Sequence, residues 1–188
     1  MKKYIVIALL LVLGTAYPAY ARWSVGTAGG GAAAPSCVKN ATPDTNQSSS
    51  DSGSGVYSSA VLGQSFQVSA EKGLYSIVVY GWDVTTAGNI EMRIGTSADL
   101  SSSYLDTDTV EISTAASYEF VFDEHPVLST ETTYYFGLGV ASGASSNIEF
   151  ALYGASSIYS GGSIFYGTWN MDDGPYTRDL KFQVYLCE

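Results

Sequence analysis

Apolar and polar side chains alternate with a period of two along four segments between residues 89 and 187 of the chain. These segments are residues 89–95, 117–123, 147–154 and 178–187. A period of two is typical of a β-strand that buries one face, so we expect four strands with one apolar row each. The rows that we expect to be buried consist of Ile90, Met92, Ile94, Phe120, Phe122, Phe150, Leu152, Leu180, Phe182 and Val184.

Four further segments fit strands and are separated by breaks of glycine, serine, asparagine, aspartate and proline. They span residues 64–68, 74–84, 132–140 and 163–169. Aromatic and β-branched residues favour strands, and the breaks between them are typical of turns. The eight segments predict an all-β protein, an antiparallel β-sandwich whose two sheets enclose the apolar rows. A jelly roll is the topology that we expect, and an immunoglobulin-like arrangement is the alternative.

Several short motifs in this region occur in an order that resembles a known class of module. They are Gln64-Ser65-Phe66, a long strand that ends near Trp82, Thr132-Thr133-Tyr134-Tyr135-Phe136, Ser160-Gly161-Gly162 and Asp179-Leu180-Lys181-Phe182-Gln183-Val184-Tyr185. Over residues 56–188 the chain resembles the jelly-roll modules of bacterial extracellular and surface proteins. These include choice-of-anchor type domains and relatives that are similar to carbohydrate-binding modules. The resemblance implies a jelly-roll fold, an extracellular setting and, more loosely, glycan binding.

The N-terminus has the parts of a secretory signal peptide. Two early lysines precede an apolar run at residues 4–13, and Ala19-Tyr20-Ala21 offers small residues to a signal peptidase. The run is shorter than the about 20 residues that a membrane span needs. We therefore expect residues 1–21 to be a cleaved signal peptide and the protein to be secreted, with no membrane insertion after cleavage. The periplasm and the cell surface remain open as alternative locations.

Residues 22–55 differ in composition from the segments that follow. Stretches of glycine and alanine, and then of serine, asparagine and aspartate, leave few apolar side chains in this part of the chain. Such segments gain too little from burial to offset the entropy of ordering. We expect a flexible leader here, with the β-sandwich domain limited to residues 56–188.

The charge of the chain is strongly acidic. The formal net charge is −10, and the loss of Lys2 and Lys3 with the signal peptide changes it to −12. A field of this sign repels phosphate groups, so we expect no nucleic-acid partner. Cations such as Ca²⁺ are the ligands that such a surface tolerates best.

The chain contains two cysteines, Cys37 and Cys187. In an oxidising compartment an even number of cysteines usually forms disulfides, and a metal site would require more ligands than these two. We therefore predict a disulfide that joins the N-terminal segment to the last strand.

Candidate catalytic residues are few. His125 is the only histidine, and its neighbours predict a turn between strands rather than a catalytic position. No Gly-x-Ser-x-Gly motif presents a serine nucleophile. Paired carboxylates could hydrolyse glycosides, but 18 acidic residues bring some pair together by chance. We expect a protein that is not an enzyme, with a weak glycoside hydrolase as the third alternative.

Two acidic groups have the oxygen ligands that calcium prefers. The first is Asp106, Asp108 and Glu111, and the second is Asp172, Asp173 and Asp179. Both are expected in loops, and neither matches an EF-hand. A structural calcium ion is one interpretation, and a solvated acidic turn is the other; no cofactor is required.

Aromatic residues are abundant, with 15 tyrosines, 7 phenylalanines and 3 tryptophans. Flat rings beside polar groups are typical of surfaces that bind sugars, although rings also fill cores. Strand alternation in residues 163–169 places Phe165 and Trp169 on one face and Tyr166 on the other. The candidate ligand-binding residues are Trp82, Tyr159, Tyr166, Trp169, Asn170, Asp172, Asp173 and Tyr176.

Two functions from different classes are compatible with these features. The first is a secreted, non-catalytic binding module whose ligand is a glycan. The second is a structural or self-assembling protein of the cell surface or of a filament, whose partners are copies of itself. A free extended segment at residues 22–55 suits the second function, because it can add as a strand to the open edge of a neighbour.

Overall fold

The computed structural model describes residues 37–188, except residues 58, 143–145 and 154–158. The predicted signal peptide and the first part of the predicted leader, residues 22–36, lie outside the described residues. The described chain is all-β and forms two antiparallel sheets that pack against each other as a β-sandwich. Within these residues, no helix has the length and the apolar character required to cross a membrane.

The described residues form fourteen strands between residue 45 and residue 186. They are β1 (Thr45–Gln47), β2 (Ser52–Tyr57), β3 (Val61–Phe66), β4 (Lys72–Thr86), β5 (Gly88–Gly95), β6 (Asp106–Ile112), β7 (Ser117–Val121), β8 (Val127–Leu128), β9 (Tyr134–Val140), β10 (Asn147–Tyr153), β11 (Ile164–Gly167), β12 (Asp173–Tyr176), β13 (Asp179–Leu180) and β14 (Phe182–Leu186). Each of the eight predicted strand segments overlaps at least one of these strands.

The larger sheet has the order β1-β14-β4-β10-β13, with β2 paired to β10 and with β7 and β8 paired to β4. The smaller sheet has the order β12-β11-β3-β9-β5-β6. All described pairings are antiparallel, as the alternating pattern predicts. The jelly-roll topology stays a prediction, because this strand order establishes only a sandwich.

The predicted apolar rows form the core between the two sheets. All ten residues named above are fully buried and belong to one cluster. β3 departs from the alternating pattern, since both of its faces are buried. The reason is that Met171 covers its outer face at Gly63, where an added Cβ would lie 2.0 Å from the methionine Sδ.

The folded domain begins earlier than its composition predicts. β1 pairs with β14 and β2 pairs with β10, so the predicted flexible leader is wrong for residues 37–55. Backbone hydrogen bonds to neighbouring strands hold both strands in place. Such bonds do not depend on apolar side chains, so the composition of these residues does not reveal the strands. Val56 nevertheless reaches the core and is fully buried.

The predicted disulfide between Cys37 and Cys187 is present and joins residues 150 positions apart. Next to it, Lys39 forms an isolated antiparallel bridge with Cys187. The disulfide therefore fixes the first described residues along the end of β14. An intramolecular disulfide indicates a non-reducing environment of the extracellular type.

Candidate functional site

The aromatic segment from Tyr159 to Tyr176 does not form one surface. Tyr159 lies against the main core, where its ring meets Phe182 edge to face at 5.5 Å. Its hydroxyl accepts a hydrogen bond from the Gln67 amide at 2.9 Å and lies 3.3 Å from the Gln67 carbonyl. Burial raises the pKa of this phenol. Tyr159 is therefore a structural residue.

Trp169 lies on the outer face of the smaller sheet. Its indole covers Gly139, where an added Cβ would lie 2.6 Å from the ring. The Arg93 guanidinium carbon lies 3.9 Å from the ring centroid, and Phe165 packs in the same small cluster. The predicted pairing of Phe165 and Trp169 on one face is confirmed. Since the sheet and Arg93 both contact the indole, Trp169 does not offer a free stacking surface.

Tyr166 and Tyr176 meet beside the edge strand β12. Their ring centroids are 5.4 Å apart at a steep angle, and Tyr166 also packs against the main core. Tyr176 is 41% exposed, and its hydroxyl donates to Asp173. This hydrogen bond raises the pKa of the Tyr176 phenol. Of the predicted rings in this segment, only Tyr176 is strongly exposed.

The polar residues of this segment also differ in exposure and do not share one surface. Asn170 is exposed, and its carbonyl accepts a hydrogen bond from the Thr168 hydroxyl at 2.6 Å. Asp172 is exposed, whereas Asp179 is completely buried. Asp179 accepts hydrogen bonds from the Gln64 amide at 3.1 Å and from the Tyr159 amide at 3.4 Å.

The second predicted calcium set is not brought together. Among the residues that the structure describes, Asp172, Asp173 and Asp179 do not form a group of mutually close ligands. Asp179 is buried and accepts a hydrogen bond from Gln64, whereas the side chains of Asp172 and Asp173 are exposed. The structure therefore does not bring these three carboxylates together, and calcium binding stays a prediction.

The first predicted calcium set lies on a strand rather than in a loop. Alternation along β6 places Asp106 and Asp108 on one side and Glu111 on the other. Asp106 accepts a hydrogen bond from the Glu124 amide at 3.0 Å, and Asp108 accepts one from the Val121 amide at 2.8 Å. These carboxylates tie β6 to the segment around β7, and Glu111 does not join them, so a calcium ion here stays a prediction.

The outer face of the larger sheet carries the most exposed group of aromatic rings. We call this surface the aromatic face and define it by Tyr57, Tyr80, Trp82 and Tyr185. Tyr57 is 57% exposed and Trp82 is 45% exposed, and the other two rings are partly exposed. The rings come from three strands, β2, β4 and β14, which lie side by side with β10 in the larger sheet.

Gln183 connects two of these rings. The hydroxyls of Tyr80 and Tyr185 both donate to its side-chain oxygen, each at 3.1 Å. Burial, with a smaller contribution from Tyr185, raises the pKa of Tyr80. The shared amide holds both rings in fixed positions and leaves its NH₂ group without a protein partner in the described part of the chain.

Two lysines complete this end of the aromatic face. The Lys39 ammonium lies 3.9 Å from the Tyr185 centroid and 2.5 Å from Glu119. Burial would raise the pKa of Glu119, but hydrogen bonds from Lys39 and Ser76 outweigh burial and hold the pKa below its usual range. The Lys181 ammonium lies 4.3 Å from the Tyr80 centroid. Both cations are therefore occupied by partners within the protein.

At the other end of the aromatic face, two glycines of β2 leave space for the rings of Trp82 and Tyr57. An added Cβ at Gly53 would lie 2.4 Å from the Trp82 ring, and one at Gly55 would lie 3.3 Å from the Tyr57 ring. A register shift between β4 and β10 leaves Trp82 without a partner, which is typical of a β-bulge. The bulge and the missing Cβ atoms let Trp82 lie across β2 with one side of its ring toward solvent.

Trp82 is the one member of the aromatic face that the sequence analysis names as a candidate. The other members could have been found by the same alternation. Tyr80 and Trp82 alternate with the buried Val79 along β4, and Gln183 and Tyr185 alternate with the buried row of β14. The grouping of Tyr80 with Gln183 and Tyr185 could not have been found from the sequence, because it depends on the register between β4 and β14.

The predicted turn position of His125 is confirmed, since the residue lies between β7 and β8. Its side chain is half-buried rather than exposed, and its Nδ1 lies 3.1 Å from the Leu74 carbonyl. Its ring also stacks on Tyr75 with centroids 5.7 Å apart.

No protein-family model matches the chain. No curated protein matches it either. The resemblance to bacterial jelly-roll modules thus stays a prediction, and the fold class rests on the two sheets themselves.

Proposed function

We propose that this domain is a secreted, non-catalytic module that binds a neutral glycan on its aromatic face. The observation that carries the proposal is the row of exposed rings on a sheet surface flattened by Gly53 and Gly55. The apolar side of a sugar ring stacks on such flat aromatic rings, and its hydroxyls pair with nearby polar groups.

The polar groups of the aromatic face support a sugar ligand. Gln183 presents amide donors between two tyrosine hydroxyls, and the hydroxyls themselves can accept from a ligand. Glu149 lies beside Gly53, with its carboxylate 2.7 Å from where a Cβ of that glycine would be. Donors and acceptors are thus distributed along the row of rings, as hydroxyl recognition requires.

The charges favour a neutral glycan over an anionic one. Lys39 is paired with Glu119, and Lys181 lies over Tyr80, so neither ammonium is presented as an anion site. The formal net charge of the whole chain is −10, which repels polyanions. A neutral polysaccharide meets no such penalty.

The test compares two exposed aromatic residues on different surfaces. Trp82→Ala removes the indole of the aromatic face, and Tyr176→Ala removes a ring of similar exposure beside β12. We expect the mature wild-type protein to bind at least one neutral polysaccharide on a glycan array. Trp82→Ala should weaken that binding by about tenfold or more, equivalent to about 1.4 kcal/mol, while Tyr176→Ala leaves it unchanged.

Circular dichroism should confirm that both variants are folded. Loss of binding in Tyr176→Ala alone would move the site to the Tyr159–Tyr176 segment. An absence of binding by folded wild-type protein across the array would refute glycan recognition.

Self-assembly is the second candidate, and one observation favours it. β2 pairs with β10 along one edge, and no described strand pairs with its other edge. An open strand edge is a template for a strand of another molecule. Size-exclusion chromatography with light scattering separates the candidates: a monomer at micromolar concentration argues against assembly, and ordered polymer argues for it. The weak glycoside hydrolase stays a prediction.

A further inference from the structure

A histidine lies beside the disulfide. The sulfurs of Cys37 and Cys187 and a ring nitrogen of His125 all lie within 4.8 Å of one another. No other described residues form a group of three potential metal ligands of this kind. The three residues come from distant parts of the sequence, and the fold places His125 beside the disulfide that joins the two cysteines.

The backbone of β4 holds this group in place. The Cys187 amide donates to the Gly73 carbonyl at 2.8 Å, and Nδ1 of His125 lies 3.1 Å from the Leu74 carbonyl. An added Cβ at Gly73 would lie 2.8 Å from the Cys187 sulfur, so the glycine creates the space for it. Tyr75 stacks on the imidazole and fixes its plane.

The contact with Leu74 also selects the tautomer of His125. A carbonyl oxygen can only accept, so Nδ1 carries the proton and donates it to Leu74. The lone pair that remains for a ligand is then on Nε2. Metal-binding histidines characteristically donate their other ring N–H to a backbone carbonyl or carboxylate in this way.

We propose that Cys37, Cys187 and His125 form a latent site for Zn²⁺ or a similar thiophilic cation, which opens when the disulfide is reduced. A dithiol reductant transfers two electrons and two protons to the disulfide, giving two thiols, and is itself oxidised to its disulfide. Binding of the cation then releases the two thiol protons and leaves two thiolates and one imidazole as ligands. The fourth position is open to water.

The dimensions suit a tetrahedral cation. Zinc binds sulfur at about 2.3 Å and imidazole nitrogen at about 2.0–2.1 Å, which places neighbouring ligand atoms about 3.5–3.8 Å apart. The sulfurs separate to that spacing once the bond between them is broken. In the oxidised protein all three ligand atoms already lie within 4.8 Å of one another, so His125 does not have to move far to complete the site.

The experiment uses the mature protein reduced with a phosphine, which is then titrated with Co²⁺ as a spectroscopic substitute for zinc. We expect a one-to-one complex with thiolate-to-cobalt absorption, which Zn²⁺ displaces, and no complex with the oxidised protein. His125→Ala should weaken Co²⁺ binding by tenfold or more. Tyr75→Phe, which keeps the stacked ring, serves as the matched control and should bind as the wild type does.

Near-ultraviolet circular dichroism should be recorded in parallel to follow the fold. If reduction unfolds the domain, Zn²⁺ should restore the native spectrum in wild type and not in His125→Ala. The proposal is overturned if the reduced wild type binds no Co²⁺, or if His125→Ala binds it as tightly. It is also overturned if the reduced protein unfolds and Zn²⁺ fails to refold it. None of these outcomes depends on glycan binding.

Discussion

Removal of the Phe182 side chain should strongly destabilise the domain. Phe182 is fully buried at the centre of the sandwich, and its ring lies 5.5 Å from Phe136, 5.5 Å from Tyr159 and 6.4 Å from Phe66. The three partners come from different strands or loops, so no single segment can move in to fill the space. Phe182→Ala should therefore lower the free energy of unfolding by about 3–5 kcal/mol.

The assay for Phe182→Ala is urea unfolding followed by far-ultraviolet circular dichroism, with a thermal scan beside it. For a domain of this size the same loss should lower the melting temperature by about 6–20 °C. Val127→Ala is the matched control, because Val127 is 68% exposed and should change stability by less than about 0.5 kcal/mol. A loss below about 1 kcal/mol in Phe182→Ala would show that the ring does not support the core as described.

Three further predictions concern other parts of the fold. Intact-mass spectrometry of the non-reduced protein should show two hydrogens fewer than the thiol form, and alkylation of Cys37 or Cys187 would contradict this. Gly63→Ala should cost about 1–3 kcal/mol in urea unfolding because its Cβ would displace Met171, and an unchanged stability would refute that contact. Burial raises the pKa of Asp179, so its contribution to stability is fully present below its ordinary pKa and is lost as pH rises through the raised value. Wild type should therefore gain stability relative to Asp179→Asn between about pH 7 and pH 4, whereas a constant difference would contradict the raised pKa.

The sequence predicts the sandwich core because its strands bury one face each. Ile90, Phe150 and Val184 occupy alternate positions among polar neighbours, and each is fully buried. The alternating pattern does not predict strands that are held by hydrogen bonds instead of by buried apolar side chains. β2 is held by its backbone pairing with β10, and β6 turns Asp106 and Asp108 inward as acceptors for neighbouring amides, so neither strand has a simple apolar row.

The candidate site could be predicted only in part, because ring exposure depends on contacts distant in sequence. Alternation along β11 correctly separates Phe165 from Tyr166, and Trp169, in the turn after this strand, packs in the same cluster as Phe165. Alternation cannot show that Trp169 lies over Gly139, a residue of a strand that is not its sequence neighbour. Likewise, the grouping of Tyr80 with Tyr185 follows from the register between β4 and β14 rather than from either segment alone.

The outer faces of both sheets combine glycines with aromatic rings, but the rings are covered on the smaller sheet and exposed on the larger one. On the smaller sheet, Gly63, Gly137 and Gly139 form a trough along β3 and β9. Side chains from two loops fill this trough: Met171 and Trp169 from the loop after β11, and Leu100 from the loop after β5.

On the larger sheet, Gly53 and Gly55 create similar space, but it is occupied by rings that belong to the sheet surface itself. Trp82 covers Gly53 and still exposes 45% of its area. An aromatic ring in a filled trough contributes to stability, whereas a ring on an uncovered sheet retains a free face for a ligand. This difference, rather than the local density of aromatic residues, favours Trp82 over Trp169 as the stacking ring of the proposed glycan site.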